Sequence, residues 1–133
     1  MDIDFLPDFN SIDWSKVKIV VDSLFGFSYR PPLRAEFSSI LSKLSTLDTK
    51  QHILVSVDIP SGWHVEEGPA NDGQTPVIRP DCLVSLTAPK KCAVHFGGTY
   101  HWLGGRFVPE SLSTKYNLNL PSYEATEQCV RIN

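Results

Sequence analysis

Two aspartates, Asp22 and Asp58, each close a short β-branched run, VKIVVD over 17–22 and ILVSVD over 53–58. Such a pair could move a proton or hold a hard cation. The second run continues into Ile59-Pro60-Ser61-Gly62, so the Ser61 hydroxyl follows the carboxylate closely. The first continues into SLFGFSYRPP over 23–32, where Gly26 permits close backbone approach and Pro31-Pro32 closes the loop. A third run, CLVSL over 82–86, ends at Thr87 with Pro89-Lys90 beyond it. In an open parallel sheet, ligands sit beyond the carboxyl ends of the strands, so the three strand ends would meet at one edge. If the first two strands are neighbours, Asp22 and Asp58 lie near enough to share a cation, a water or a hydroxylated ligand.

Each residue also has a plainer reading. An aspartate at a strand end often caps a helix or turn, Gly26 can serve only its turn, Arg30 can be solvated, and Ser61 can bond its own loop. The aspartate pair carries more weight than either member. His64, His95 and His101 have no metal-ligand spacing, and Trp63 and Trp102 suit packing better than stacking. Lys90-Lys91 is the only basic cluster and fits a solvated face unless its position in the fold says otherwise.

Positioning these groups requires strands and a crossover. The run at 17–22 has the continuity of a strand buried on both faces. Leu33, Phe37, Ile40, Leu41, Leu44 and Leu47 recur at helical spacing, with Pro32 suited to the first turn. Strand, helix and strand make a βαβ unit, hence parallel strands and a right-handed crossover. The Gly- and Pro-rich stretch 59–80 reads as loop. A short helical piece is expected over 90–95, a hairpin or strand over 100–103, a short helix over 109–116 and a last strand over 129–132. Residues 1–16 read as an irregular lead-in from which Phe5, Leu6 and Trp14 pack on the domain. The expected class is α/β, with one domain over 1–133.

With 41% hydrophobic residues in 133, the chain can build one modest core. A formal charge of −3 gives no reason to expect nucleic acid or an anionic membrane as partner. No apolar run approaches the roughly 18 residues that span a bilayer. Cys82, Cys92 and Cys129 lack zinc spacing and read as free thiols of a reducing compartment. The acidic start is unlike a leader, so a cytoplasmic location is expected. A segment upstream of Met1 would allow mitochondrial or secreted forms.

Four blocks, VVDSLFGFS at 20–28, VDIPSGW at 57–63, LTAPKKCA at 86–93 and YHWLGGRFVP at 100–109, together resemble the second half of the YjeF amino-terminal-domain family. These are the NAD(P)H-hydrate epimerases, known in animals also as apolipoprotein A-I-binding protein. The resemblance implies a Rossmann-like three-layer α/β/α sandwich that interconverts the R and S epimers of hydrated NADH or NADPH, with a potassium ion in the site. It implies potassium ligands at Asp22 and Ser61. Substrate contacts would come from Gly26, Phe27, Ser28, Tyr29, Arg30, Pro31, Pro32 and Asp58, the last as the catalytic carboxylate. A homodimer or apolipoprotein A-I is an implied partner.

His64 departs from the aspartate common in the family after GW. The family's front half, with an Asn- and Gly-rich phosphate-binding loop and a further potassium ligand, is expected before Met1. Absence of those strands would expose apolar sheet and favour self-association. A non-catalytic binding module is the alternative reading. A generic nucleotide hydrolase is disfavoured by the lack of a GxSxG elbow or Walker loop.

Overall fold

A computed structural model describes residues 4–133, in which five strands form one sheet in the order β1-β2-β3-β4-β5. They are β1 (Ile19–Asp22), β2 (Ile53–Val57), β3 (Cys82–Leu86), β4 (Tyr100–Gly104) and β5 (Cys129–Arg131). The first four run parallel and β5 lies antiparallel to β4. Helix α1 (Ser38–Ser45) joins β1 to β2, and α2 (Glu110–Tyr116) precedes β5. The β-branched runs therefore become strands where the sequence places them, and the α/β class with a mostly parallel sheet stands. Residues 91–95 form a 3₁₀ turn and 100–104 a parallel strand rather than a hairpin.

Strand order explains where the core sits. Each parallel strand is laid beside its predecessor, and right-handed crossovers then all pass over one face. On that face Leu44 of α1, Leu54 of β2 and Ile78 form one buried cluster, joined by Trp14, Val20, Ile40 and Leu47. Ile59, Trp63 and Cys92 form a second. Trp63 also donates its indole N–H to the Ile78 carbonyl at 3.1 Å. The register sets Ile19, Val21, Ile53, Val84, Tyr100 and Trp102 on the opposite face. Ile19 and Val21 are each 60% exposed, so β1 is not buried on both faces as its composition predicts. Among the described residues, the sheet and the layer over its core face are built from these crossovers. Doubly wound coverage would need a reversal of strand order.

Two local expectations are corrected. The helix starts at Ser38, not near Leu33, after a 3₁₀ turn at Ala35–Phe37. Phe37 is engaged elsewhere: its ring meets that of Phe25 edge-on at 4.9 Å, and Arg34 stays extended at φ −68°, ψ 135°. In the lead-in, Asp8 and Asp13 accept backbone N–H groups and start two 3₁₀ turns. Those turns bring Trp14 onto the core and leave Phe5 and Leu6 in solvent, Phe5 being 88% exposed.

Ser85 and His101 are buried on adjacent strands and share a hydrogen bond of 2.9 Å between Oγ and Nε2. Burial lowers the His101 pKa from its ordinary value of 6.5. The folded state therefore favours neutral imidazole, while the unfolded chain takes up its proton below about pH 6.5. Stability from this site is complete above that pH and declines as pH falls toward the depressed folded value. Urea midpoints of wild type and His101→Gln, compared between pH 7.5 and 5.5, should show a steeper acid loss in wild type. Ser85→Ala should cost about 1–3 kcal/mol at neutral pH by leaving the imidazole nitrogen unpaired.

Candidate functional site at the carboxyl edge of the sheet

β1 and β2 are adjacent and parallel, so Asp22, the last residue of β1, and Asp58, just past β2, come to the same edge. Their carboxylates do different jobs. Asp22 is 2% exposed. Its Oδ2 accepts the Ser56 hydroxyl at 2.8 Å and the Ser61 backbone N–H at 2.9 Å. Its Oδ1 is buried with no hydrogen-bond partner among the described residues. A buried carboxylate oxygen lacking a donor is costly, and at Asp22 it could accept a ligand donor or a cation.

Asp58 turns away from Asp22 toward β3. Its Oδ1 accepts the Lys90 ammonium at 2.6 Å and the Leu86 N–H at 3.3 Å. Among the described residues the two aspartates share no hydrogen-bond partner. Asp58 sits at φ +68°, with the Ile59 N–H donating to the Val57 carbonyl at 2.9 Å. Thr87 repeats the arrangement at the end of β3, with φ +68° and the Ala88 N–H donating to the Leu86 carbonyl at 2.8 Å. A bond spanning one residue at positive φ is the rare, strained γ-turn. Gly105 supports the second one, since a Cβ there would stand 2.7 Å from the Thr87 nitrogen.

Ser61 joins the two edge loops. It is fully buried, its N–H serves Asp22, and its hydroxyl accepts the Phe25 N–H at 3.1 Å. That bond anchors the base of the 23–32 loop, which Phe25 stiffens by stacking on Tyr29 at 4.8 Å. Arg30 donates to the Phe27 and Tyr29 carbonyls. An open cleft of about 490 Å³ is lined by Gly26, Ser28, Tyr29, Arg30 and Pro32 together with Leu24, Phe25 and Arg34. A second, of about 360 Å³, runs between Tyr29, Pro31 and residues 62–75, including His64. Phe27, exposed, lines neither, and both clefts lie beside rather than over Asp22, Asp58 and Ser61.

His64 takes on a carboxylate-like task. Its Nδ1 accepts the N–H groups of Glu66 and Glu67 at 3.4 and 3.2 Å, closing the turn that an acidic side chain could close. The three cysteines are free. Among the described residues no group of three or more His, Cys, Asp or Glu side chains is suited to a metal ion, and no helix is long and apolar enough to cross a membrane. Charge patterning misses Lys90. Lys91 is the solvated member, paired with Glu66 at 2.7 Å, whereas Lys90 is turned inward. The available signal was its place at the end of β3, beside a strand ending in aspartate.

A mostly parallel sheet of β1 to β4 with β5 antiparallel at its far side, and helices in the connections, is a Rossmann-like α/β domain. The chain belongs to a particular family of that class, the YjeF-related protein N-terminus family, whose model matches residues 2–92. It is 45% identical over 135 residues to the NAD(P)H-hydrate epimerase of Aedes aegypti, covering 100% of this chain and 56% of that protein. It is 50% identical over 136 residues to the chloroplastic pyridoxine/pyridoxamine 5'-phosphate oxidase 1 of Arabidopsis thaliana, covering 98% of this chain and 24% of that protein. The crystal structure of the yeast protein YNL200c superposes with a TM-score of 0.74 at 40% identity, over 84% of this chain and 45% of that one. The chain thus spans about a quarter to about half the length of these relatives.

Proposed function

We propose that the chain acts in NAD(P)H-hydrate epimerisation, the interconversion of the R and S epimers of hydrated NADH and NADPH. The observation that carries the reading is the 45% identity, across the whole chain, to a protein named for that activity. The plant oxidase shares only a quarter of its length with this chain, so its name describes mostly other sequence. The chemistry suits the edge described above. The hydroxylated ring carbon is bonded to nitrogen, whose lone pair can expel the hydroxyl once a proton reaches it. Water returning to the opposite face must then give up a proton. A single carboxyl group can serve both needs in turn, and Asp58 is assigned that role.

The 26–32 loop is assigned to the dinucleotide, with backbone approach at Gly26, the Tyr29 ring and the Arg30 guanidinium along an open cleft. Asp22 and Ser61 are assigned to potassium. Their chemistry fits: the partnerless Asp22 Oδ1 supplies a charged oxygen, and the Ser61 hydroxyl keeps a lone pair beyond the one used by Phe25. When bound, such an ion would supply a fixed positive charge beside the ligand. A homodimer, apolipoprotein A-I as partner and a cytoplasmic setting are the remaining parts of this reading.

The test starts from one purified epimer of hydrated NADH and follows its conversion by chromatography, against the spontaneous rate, with potassium or sodium as the salt. Faster exchange in potassium is expected. Asp22→Asn should remove the potassium-specific rise in thermal midpoint, and Ser61→Ala should weaken it. Ser61→Ala should also loosen the 23–32 loop, which its hydroxyl anchors. An exchange rate equal to the spontaneous one would refute the activity. A potassium effect unchanged in Asp22→Asn would refute the ion assignment.

A further inference from the structure

We infer that Lys90 is a positioning residue which clasps the γ-turns at the ends of β2 and β3 and so presents one oxygen of Asp58 to the ligand. The inference rests on the epimerase reading for its catalytic consequence, but its geometry stands on the structure alone. The Lys90 ammonium donates to Asp58 Oδ1 at 2.6 Å, to the Leu86 carbonyl at 2.7 Å and to the Ala88 carbonyl at 3.3 Å. Three donors meet three acceptors, which is the full capacity of an ammonium group. The side chain is 21% exposed and that of Asp58 11%, so this pair is far less solvated than the Lys91–Glu66 pair on the surface.

What the clasp holds is strained backbone. Asp58 and Thr87 both lie at φ +68°, each at the centre of a γ-turn. A non-glycine residue there costs on the order of 1–3 kcal/mol and persists only when its surroundings impose it. Lys90 imposes it twice, gripping the carboxylate of one turn and the Leu86 carbonyl that accepts the closing bond of the other. The Leu86 N–H also donates to Asp58 Oδ1, so the side chain of one turn is tied to the backbone of the next. With Oδ1 doubly held, Oδ2 has no protein hydrogen bond among the described residues and is not among the sealed-off polar atoms. It is the oxygen left to exchange a proton with the substrate hydroxyl. Lysine suits this place because a compact ammonium with rotatable donors can reach a carboxylate and two carbonyls, whereas the planar guanidinium of arginine cannot direct its donors so.

The test separates the clasp from the reaction. In a ¹H–¹⁵N spectrum, an ammonium group shielded by three hydrogen bonds exchanges slowly with water. The Lys90 signal should therefore be visible in wild type and lost in Asp58→Ala, whatever the activity; no slowed signal in wild type would overturn the clasp. For the catalytic consequence, Lys90→Met should remain folded by circular dichroism and lose about 10²-fold in kcat, with KM changed little, as expected when a reacting group is misplaced by about an ångström. Ethylammonium added to Lys90→Ala, whose truncated side chain leaves room for it, should restore part of the rate saturably, and Lys90→Arg should recover less than lysine. Full kcat in Lys90→Met, or a loss confined to KM with no response of Lys90→Ala to ethylammonium, would overturn the positioning role. A wild-type protein with the slowed ammonium signal but no epimer exchange would refute the epimerase reading and leave the clasp intact.

Discussion

Replacing Asp58 by asparagine is expected to bring epimer exchange down by about 10²–10⁴-fold, toward the spontaneous rate, while leaving the fold intact. The carboxamide keeps an oxygen to accept from Lys90 and Leu86, and asparagine tolerates the left-handed backbone that Asp58 adopts at φ +68°. What it loses is an oxygen able to take and return a proton. Asp58→Ala should abolish exchange as well, but it adds two structural costs. Alanine at positive φ is strained, and a half-buried ammonium loses its charged acceptor. Comparing the two variants therefore divides chemistry from stability. Both should lack activity, and only the alanine protein should show a clearly lowered urea midpoint. An asparagine variant with wild-type exchange would show that the carboxylate is not the proton carrier.

In solution the 133 residues are expected to self-associate in the micromolar range through the open sheet face. The chain's accessible surface is 9156 Å², roughly 30% above the about 7,000 Å² typical of a compact monomer of this mass. Part of the excess is the apolar strand face bearing Ile19, Val21 and Ile53, each at least half exposed. Apolar area of that kind is favourable to cover at about 25 cal/mol per Å², and a standard interface needs only about 800 Å² from each partner. Among the described residues β1 also ends the sheet, so its outer edge offers unpaired backbone groups to another chain. Sedimentation should report species larger than 14.9 kDa, together with binding of an apolar dye. Ile19→Lys combined with Val21→Lys should shift the population toward monomer with little loss of stability, since neither side chain packs in the core. A wild-type chain that stays monomeric and binds no dye at high micromolar concentration would contradict this.

The residues that sequence alone placed well are those whose chemistry is local. The runs rich in valine and isoleucine became β1 and β2 because β-branched side chains suit a pleated, extended backbone. Asp22, Asp58 and Ser61 reach one edge because a βαβ unit of this length is parallel, which brings both strand ends to the same side. Free cysteines and a role for Trp63 in packing were equally legible.

Side-chain direction and layer coverage were not legible, because they depend on partners distant in the chain. Asp22 and Asp58 look alike in sequence, yet one is buried with an unpaired oxygen and the other is clasped by Lys90, 32 residues away. Adjacent lysines look equivalent, yet Lys91 reaches a surface glutamate and Lys90 the carboxylate at the sheet edge. The run at 17–22 has the composition of a strand covered on both faces, but coverage is set by the handedness and order of the crossovers, which place helix and loops over one face here. The strands, their parallel pairing and the edge to which the acidic residues come follow from local conformational preference and connection length, so they can be read from the order of residues. Which oxygen is left free, which lysine holds its neighbour and which face stays open are set instead by contacts between segments whose separation along the chain carries no trace of their meeting.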